Sequence, residues 1–237
     1  MTHANTKRDK EKVGAVIVAA GRSERMGGAD KIFAGLCGEP LLAHTVAAFQ
    51  RSPVIDCIVV VLAQNRVKDG RDMVRKLGWT KVVSICAGGA RRQDSVREGI
   101  KRIENVSWVM IHDGARPCVT GDMIERGLRA AAESGSAIPA IPASDTIKVV
   151  SSDSYIVDTP QRDGLYAVQT PQVFRFDIIS AAHRIADDDA TDDAVLAERA
   201  GYRVKIFQGS GSNIKVTTKE DLVIAEAIIK SRTKKKS

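Results

Sequence analysis

One loop of the sequence combines glycines and cations in a way that suits the binding of a nucleoside triphosphate. Residues 19–31 read AAGRSERMGGADK and follow a continuous apolar run. Glycine lets the backbone come close to a phosphate and leaves N–H groups free to donate to it, while arginine and lysine stay positively charged at neutral pH. The loop has neither the G-x-x-x-x-G-K-[ST] pattern of a P-loop nor the G-x-G-x-x-G pattern of a dinucleotide site. Taken alone, it also fits a glycine-rich surface loop with scattered cations.

Two further clusters follow later apolar runs. In residues 88–95 (GGARRQDS), Gly88 and Ser95 could contact a base or a ribose through backbone and hydroxyl hydrogen bonds. A glycine turn with helix-capping residues explains the same pattern equally well. In residues 213–217 (NIKVT), Lys215 alternates with apolar neighbours and so could point into a cleft. A lone lysine on a strand is more often solvated.

A fourth cluster, residues 112–117 (HDGARP), places a carboxylate and a guanidinium three residues apart. Asp113 could hold a metal ion or a substrate hydroxyl, and Arg116 could bind a phosphate through two N–H groups. A solvated turn with a local ion pair is the alternative interpretation of this cluster.

The elements that must position these clusters are predicted from the spacing of apolar residues. Continuous apolar runs are typical of strands buried on both faces, and apolar residues three or four apart indicate helices. We expect strands at 13–19, 56–62, 82–86, 108–112 and 137–141, and helices at 40–52, 67–77, 93–103 and 122–133. Further on, we expect a short strand near Ala167, helices at 176–185 and 191–200, a strand at 204–207, and a last helix capped by Thr217 with Glu220.

This alternation predicts an α/β fold with a Rossmann-like, doubly wound, mainly parallel sheet. Ligands on such sheets bind beyond the carboxyl ends of the strands, where the clusters fall. The polar segment 142–166 interrupts the rhythm, with Lys148–Val150 and Tyr155–Val157 flanking Ser151–Ser154. We expect a β-hairpin arm there. Because a two-stranded hairpin is marginal in water, the arm also predicts a partner subunit.

The net charge of +7 lies in the two ends of the chain. Residues 1–12 carry four positive and two negative side chains, residues 230–237 carry five positive ones, and residues 13–229 hold 27 of each sign. We therefore expect a disordered basic tail at 1–12, a single domain at 13–229 and a basic tail at 230–237. The neutral body and an aromatic content of 4% argue against a nucleic-acid partner.

Several other classes of protein are not favoured. No apolar run approaches the roughly 20 residues of a membrane span, and the polar start of the sequence is not a signal peptide. The four cysteines form no C-x-x-C pair and do not cluster with the histidines, which argues against a zinc site or a disulfide framework. We expect a cytoplasmic protein with no membrane partner.

The clusters, together with two more motifs, resemble those of one known family. The motifs are Ala19-Ala20-Gly21 with Arg25-Met26 and Lys31, Gly88-Gly89 with Asp94-Ser95-Val96, His112-Asp113 with Ala115-Arg116-Pro117, Asp145-Thr146, Thr170-Pro171-Gln172, and Asn213 to Thr217. Over about residues 13–229 the sequence is similar to the 2-C-methyl-D-erythritol 4-phosphate cytidylyltransferases of non-mevalonate isoprenoid synthesis. The resemblance implies CTP and a polyol phosphate as substrates, Mg²⁺ or another divalent cation as cofactor, and a homodimer joined through the hairpin arm.

The resemblance also implies roles for individual residues. The catalytic pair would be Arg25 and Lys31. The residues that bind CTP would be Ala19, Ala20, Gly21, Arg25, Lys31, Gly88 and Ser95. The residues that position the acceptor would be Asp113, Arg116, Thr146, Arg162, Thr170 and Lys215. The metal ligands stay unassigned.

Two residues depart from the family pattern, and another acceptor substrate is also compatible with the sequence. Ser23 stands where the family usually has a glycine, and Asp30 stands where it has a proline. A carboxylate beside Lys31 could weaken the positive field at the phosphate, or it could simply point to solvent. The nearest alternative is a cytidylyltransferase for another polyol phosphate such as ribitol 5-phosphate, because the CTP loop would be shared. A nucleic-acid-binding module and a dinucleotide-dependent oxidoreductase are the more distant alternatives.

Overall fold

The computed structural model describes residues 11–21, 31–185 and 188–234. The strands are β1 (Val13–Ala19), β2 (Gly35–Leu36), β3 (Glu39–Pro40), β4 (Cys57–Leu62), β5 (Val82–Ala87), β6 (Trp108–Asp113), β7 (Ser136–Pro142), β8 (Val149–Val150), β9 (Ile156–Asp158), β10 (Tyr166–Val168), β11 (Gln172–Arg175) and β12 (Lys205–Gln208). The helices are α1 (Leu41–Arg51), α2 (Val67–Leu77), α3 (Arg92–Ile100), α4 (Gly121–Ser134), α5 (Phe176–Ile185), α6 (Asp193–Arg199) and α7 (Lys219–Lys234).

The main sheet has eight strands in the order β10-β7-β11-β6-β1-β4-β5, with β12 paired to β7. Strands β6, β1, β4 and β5 run parallel to one another, and β12 runs parallel to β7. Strands β10 and β11 are antiparallel to their neighbours. Helices pack on the sheet, so the predicted α/β fold with a mainly parallel sheet is confirmed.

Both faces of the sheet are buried, which explains the continuous apolar runs of its central strands. Successive side chains of a strand point to opposite faces. In β1, Ile17 packs on one face with Phe49 of α1, whereas Val16 packs on the other face with Val96 of α3. Each central strand therefore needs apolar residues at every position.

Helix α3 lies unusually close to the sheet. A Cβ atom at Gly99 would lie 2.4 Å from Cγ1 of Val16, so only glycine allows this approach. The close packing places the start of α3, with Arg92 and Ser95, beside the carboxyl end of β1. The fold thereby brings two of the polar clusters together.

The structure differs from the sequence prediction in several places. The short pair β2 and β3 was not predicted. Strand β11 was not predicted either; it enters the sheet antiparallel, between β6 and β7. Helix α7 extends to Lys234, so it includes the first five residues of the predicted tail 230–237. The cap of α7 also begins one residue later than predicted. Asp221 accepts a hydrogen bond from the Thr218 N–H at 2.9 Å, and the Thr218 hydroxyl accepts one from the Asp221 N–H at 3.2 Å.

Strands β8 and β9 form a two-stranded sheet of their own, in the segment where the sequence predicts a hairpin. The Ser151 N–H donates to the Tyr155 carbonyl at 2.9 Å and closes the turn. The apolar side chains of this arm are exposed: Tyr155 is 72% exposed and Ile156 is 62% exposed. Within the described residues, no helix has both the length and the apolar character needed to cross a membrane.

Candidate functional site

A cleft of about 730 Å³ opens at the carboxyl ends of β1, β5 and β6. This is the position where parallel α/β sheets bind ligands. Residues from all four clusters contribute to its walls. The lining residues are Val18, Ala19, Ala20, Gly21, Lys31, Ile32, Gly89, Ala90, Arg91, Arg92, Ser95, Asp113, Ala115 and Lys215.

The first loop enters the cleft directly from β1. Ala19 ends the strand, Ala20 and Gly21 follow it in the cleft wall, and Lys31 lines the same space. The predicted catalytic residue Arg25 lies outside the described residues, as do the two departures Ser23 and Asp30.

The second loop packs tightly against the first. A Cβ atom at Gly88 would lie 2.4 Å from Cβ of Ala20 and 2.5 Å from Oγ of Ser95, so a side chain at Gly88 would separate the two loops. The Ser95 hydroxyl accepts a hydrogen bond from the Gly89 N–H at 3.2 Å. Gly88 and Ser95 therefore shape the cleft, and Ser95 also lines it.

Asp113 is the centre of charge in the cleft. Its carboxylate lies 3.0 Å from Nζ of Lys215, 3.3 Å from Nε of Arg92 and 3.6 Å from Nε of Arg116. Burial by itself would raise the pKa of Asp113, but these three cations lower the pKa well below its usual range. The group is therefore a carboxylate at neutral pH, surrounded by a net excess of positive charge.

A buried hydrogen-bond chain holds Asp113 from behind. The Asp113 N–H donates to Oγ1 of Thr170 at 3.1 Å, and this hydroxyl lies 3.0 Å from Nδ1 of His112. Nε2 of His112 lies 3.3 Å from the Arg116 carbonyl. Because a carbonyl only accepts, Nε2 carries the proton and Nδ1 accepts from Thr170. Burial lowers the pKa of His112 to about 3, so the ring stays neutral and keeps this tautomer.

Two of the predicted acceptor residues support the cleft instead of lining it. Thr170 is buried in the chain just described. The side chain of Arg116 is only 11% exposed, and its Nη1 donates to the Asn213 carbonyl at 2.7 Å. Arg116 therefore fixes Asp113 and the loop that carries Lys215.

Helix α7 ties down the same loop from the other side. Arg232 donates to Oγ of Ser212 and to the Cys118 carbonyl, both at 2.7 Å. The Val216 N–H donates to the Ala115 carbonyl at 2.8 Å. The loop before α7 is thus anchored on both sides of Lys215.

Thr146 and Arg162 do not join the cleft of their own chain. Thr146 is exposed on the approach to the arm. Arg162 lines a second pocket of about 650 Å³ at the base of the arm, where its Nη1 donates to the Ser144 carbonyl at 3.0 Å. The two pockets share no lining residue. The single chain therefore divides the predicted acceptor residues between two places.

Arg92 is a cleft residue to which sequence reasoning gave no role. It is the first residue of α3, and its guanidinium bridges the carboxylates of Asp113 and Asp193. The available signal was its position three residues after Gly89, within the cluster of residues 88–95. With Arg91 beside it, the sequence did not distinguish which arginine faces Asp113.

Among the described residues, no group of three or more histidine, cysteine or acidic side chains could hold a metal ion. Asp113 is the one acidic residue that the structure places in the lining of the cleft. Mg²⁺ in phosphate-transfer sites is commonly bound by one or two carboxylates and by the phosphates of the substrate. The donor set of the described residues fits an ion that arrives with a nucleotide and does not by itself form a metal cage.

Comparisons with known proteins agree on one family. The family model described as 2-C-methyl-D-erythritol 4-phosphate cytidylyltransferase matches residues 13–231. A relative of that name from Dehalococcoides mccartyi is 51% identical over 220 residues, which cover 93% of this chain and 97% of the relative. Another from Geobacter metallireducens is 45% identical over 227 residues, covering 92% of this chain and 97% of the relative.

Solved structures give the same result. A 4-diphosphocytidyl-2C-methyl-D-erythritol synthase from Anaerococcus prevotii has a TM-score of 0.81 at 29% identity, covering 93% of this chain and 96% of that one. A 2-C-methyl-D-erythritol 4-phosphate cytidylyltransferase from Thermus thermophilus has a TM-score of 0.75 at 31% identity, covering 92% of this chain and 99% of that one.

Proposed function

The chain belongs to the 2-C-methyl-D-erythritol 4-phosphate cytidylyltransferase family, and on that premise we propose how its cleft carries out the reaction of that family. The enzyme is a nucleotidyltransferase of non-mevalonate isoprenoid synthesis. It joins CTP and 2-C-methyl-D-erythritol 4-phosphate, and the products are 4-diphosphocytidyl-2-C-methyl-D-erythritol and pyrophosphate.

The chemistry requires cations more than it requires a general base. The attacking group is a phosphate monoester, which is largely a dianion near neutral pH because its second pKa is about 6. An oxygen of this phosphate forms a bond to the α-phosphorus of CTP, while the bond from that phosphorus to the bridging oxygen of the β-phosphate breaks. The barrier arises from repulsion between two anions and from negative charge that builds up in line. Positive side chains lower both contributions.

One observation carries the proposal: cations from three distant segments line one cleft at the sheet edge. Lys31 comes from the first loop, Arg91 and Arg92 come from the start of α3, and Lys215 comes from the loop before α7. Asp113 supplies a negative charge that orders part of this set. Such a cleft suits two phosphate-bearing substrates that must approach each other.

Within this cleft we assign the substrates to opposite sides. Lys31, with Arg25 from the same loop, would stabilise the α-phosphate in the transition state. The backbone around Gly88 and the hydroxyl of Ser95 would hold the cytidine, together with residues 19–21. Asp113 and Lys215 would orient the polyol phosphate. The neutral hydrogen-bond chain behind Asp113 supports this, because it holds the carboxylate without adding charge.

Release of pyrophosphate from CTP against a panel of polyol phosphates tests the proposed function. We expect rapid release with 2-C-methyl-D-erythritol 4-phosphate and about 100-fold lower kcat/KM with ribitol 5-phosphate, which is one carbon longer in its backbone, lacks the methyl group and has an extra hydroxyl that must be desolvated. The same panel with UTP or ATP in place of CTP tests the specificity for the nucleobase. Absence of turnover with methylerythritol phosphate, or equal turnover with ribitol phosphate, contradicts the assignment of the acceptor.

Mg²⁺, or another divalent cation, is the proposed cofactor, and we expect the triphosphate of CTP to supply most of its ligands. When bound, it would neutralise phosphate charge. Because Asp113 is the one carboxylate that the described residues supply to the cleft, we expect that EDTA abolishes turnover and leaves the melting temperature of the nucleotide-free protein unchanged within about 1 °C. Mg²⁺ should restore full activity. A clear loss of thermal stability on chelation would instead indicate a metal site built by the protein.

We propose a homodimer in which the arm of each subunit completes the partner's cleft. Three observations support this: the arm residues Thr146 and Arg162 lie outside the cleft of their own chain, the arm is a separate two-stranded sheet, and its apolar side chains are exposed. Exposed apolar patches of this kind commonly mark interaction surfaces. We also expect the enzyme to act in the cytoplasm, since all four of its cysteines are free thiols.

Mixing two inactive variants tests the exchange of arms. Lys31→Ala damages the cleft and Arg162→Ala damages the arm. If each site takes its arm from the partner, half of the randomly mixed dimers regain one intact site, and activity should return to about one quarter of the wild-type value. If each chain uses its own arm, the mixture stays inactive. The measurement is turnover after the two variants are unfolded and refolded together, and each variant refolded alone is the control.

A further inference from the structure

Asp193 and His183 form a buried pair directly behind the charged wall of the cleft. The guanidinium of Arg92 is held between two carboxylates: its Nε is 3.3 Å from Asp113, and its Nη1 is 2.7 Å from Asp193. Asp113 faces the cleft, whereas the side chain of Asp193 is completely buried. The shorter contact of Arg92 is therefore the one that substrate cannot reach.

Asp193 is itself held on several sides. One of its carboxylate oxygens lies 3.0 Å from Nε2 of His183 in α5, and its backbone N–H donates to Oε1 of Gln172 at 3.1 Å. Gln172 comes from β11, and Asp193 begins α6. The carboxylate thus contacts α5 and α3, and the backbone of the residue is fixed to β11, so Asp193 has little freedom to follow a moving guanidinium.

We propose that Asp193 and His183 form a positioning pair for the reaction, which fixes Arg92 and, through Arg92, fixes Asp113 against the acceptor substrate. The inference rests on the proposed function, because it assumes that Asp113 orients the polyol phosphate. Neither Asp193 nor His183 lines the cleft, so neither touches substrate.

The charges around Asp113 explain why such a pair is needed. Arg92, Lys215 and Arg116 all lie within 3.6 Å of one carboxylate. If Arg92 had no second partner, its guanidinium could form two hydrogen bonds to Asp113 and displace Lys215, or it could turn toward an incoming triphosphate. Asp193 prevents both movements by holding one nitrogen of the guanidinium behind the wall. Asp113 is then left with an oxygen for Lys215.

The main test is Asp193→Asn, with Asp192→Asn as the matched control. Asp192 is the neighbouring residue; it caps α6 by accepting from the Val195 N–H at 3.0 Å and binds Gln172. Asparagine caps a helix as well as aspartate does. We expect Asp193→Asn to lower kcat/KM for the polyol phosphate by about 10- to 100-fold, mainly through a higher KM, with the Kd of CTP changed by less than about threefold. Asp192→Asn should leave these constants within about twofold of the wild type.

Variants of His183 separate positioning from packing. In His183→Gln, the side-chain amide can still donate to Asp193, so we expect kcat/KM close to that of the wild type. His183→Leu keeps an apolar volume but cannot donate, so its KM for the acceptor should rise as in Asp193→Asn. If His183→Gln and His183→Leu are equally impaired, or equally active, the proposed role of the pair is wrong.

A double-mutant cycle with Arg92→Lys tests whether the effect passes through Arg92. A lysine cannot bridge the two carboxylates, so the single variant already breaks the link. The double variant Arg92→Lys with Asp193→Asn should then be no worse than the more impaired single variant, within about twofold. If the two substitutions instead lower kcat/KM by factors that multiply in the double variant, the inference is overturned.

A measurement that does not depend on turnover distinguishes the failure of the positioning pair from the failure of the proposed function. The ¹⁵N–¹H signal of the Arg92 Nε–H group, assigned by its loss in Arg92→Lys, should exchange slowly with solvent in the wild type and in Asp192→Asn. It should exchange quickly or shift in Asp193→Asn. An unchanged signal in Asp193→Asn overturns the inference even if the enzyme is active. If the wild type does not turn over methylerythritol phosphate, the proposed function fails, while the signal still reports whether Asp193 fixes Arg92.

Discussion

Replacement of Lys31 by alanine is expected to lower kcat for cytidylyl transfer by about 100- to 1000-fold, while the Kd of CTP rises by less than about tenfold. Lys31 is the last residue of the first loop and lines the cleft on the side assigned to the triphosphate. Its charge is most useful when negative charge accumulates on the α-phosphate, so its removal should affect the transition state more than bound CTP. Single-turnover rates and the Kd of CTP measured without the acceptor give the two quantities.

Lys68 provides the matched control for this experiment. It also is a lysine, but its side chain is 86% exposed on α2 and pairs with Asp72 at 3.1 Å. Lys68→Ala should change neither kcat nor the Kd of CTP. Equal losses in turnover and in CTP affinity for Lys31→Ala would mean that Lys31 only binds the ground state.

Asp113→Asn is expected to separate the two substrates. The substitution removes the one negative charge that Arg92, Lys215 and Arg116 share, so the cleft becomes more positive. We expect kcat/KM for the polyol phosphate to fall by about 100-fold or more, whereas CTP should bind at least as tightly as in the wild type. Steady-state kinetics with each substrate varied in turn and calorimetric titration with CTP measure these effects.

The same variant should also be less stable, because removing one partner of a buried ion pair leaves uncompensated charge, at a cost of up to about 3–5 kcal/mol. Asp122→Asn is the control, since Asp122 pairs with Arg126 on the surface of α4 and its side chain is 70% exposed. A weaker affinity of Asp113→Asn for CTP would contradict the assignment of Asp113 to the acceptor side and would favour a role in binding the nucleotide.

The central strands could be predicted from the sequence because both faces of the sheet are covered. Runs such as residues 13–19 and 108–112 are apolar at every position, and few other environments require that. Strand β11 has four residues and follows a proline at position 171, so nothing in its spacing distinguished it from a loop. Its place between β6 and β7 depends on pairing across distant parts of the chain.

The residues that form the cleft were largely predicted, but the partner that each cation contacts was not. Arg91 precedes α3 with an extended backbone and pairs with Asp94, whereas Arg92 begins the helix and meets Asp113. Arg116 was expected to bind phosphate, yet the packing around it turns its guanidinium toward the Asn213 carbonyl. Such choices depend on tertiary packing, which no local pattern contains.

The acceptor residues of the arm show a different limit. Thr146 and Arg162 were assigned by resemblance to the family, and the fold of one chain leaves them outside the cleft. If the site is shared between two subunits, as proposed above, it cannot be assembled from the geometry of one subunit. The mixing experiment with Lys31→Ala and Arg162→Ala therefore tests what neither the sequence pattern nor the single chain contains.

The contacts of Arg232 make the last helix a tether for the loop that carries Lys215. Judged by charge alone, residues 230–237 look like a tail that could be removed, and they would be an obvious choice for truncation before crystallisation. That cut would release Ser212 and the Cys118 carbonyl from their guanidinium partner. A shortened enzyme could then lose its hold on the acceptor although every residue that touches substrate is intact.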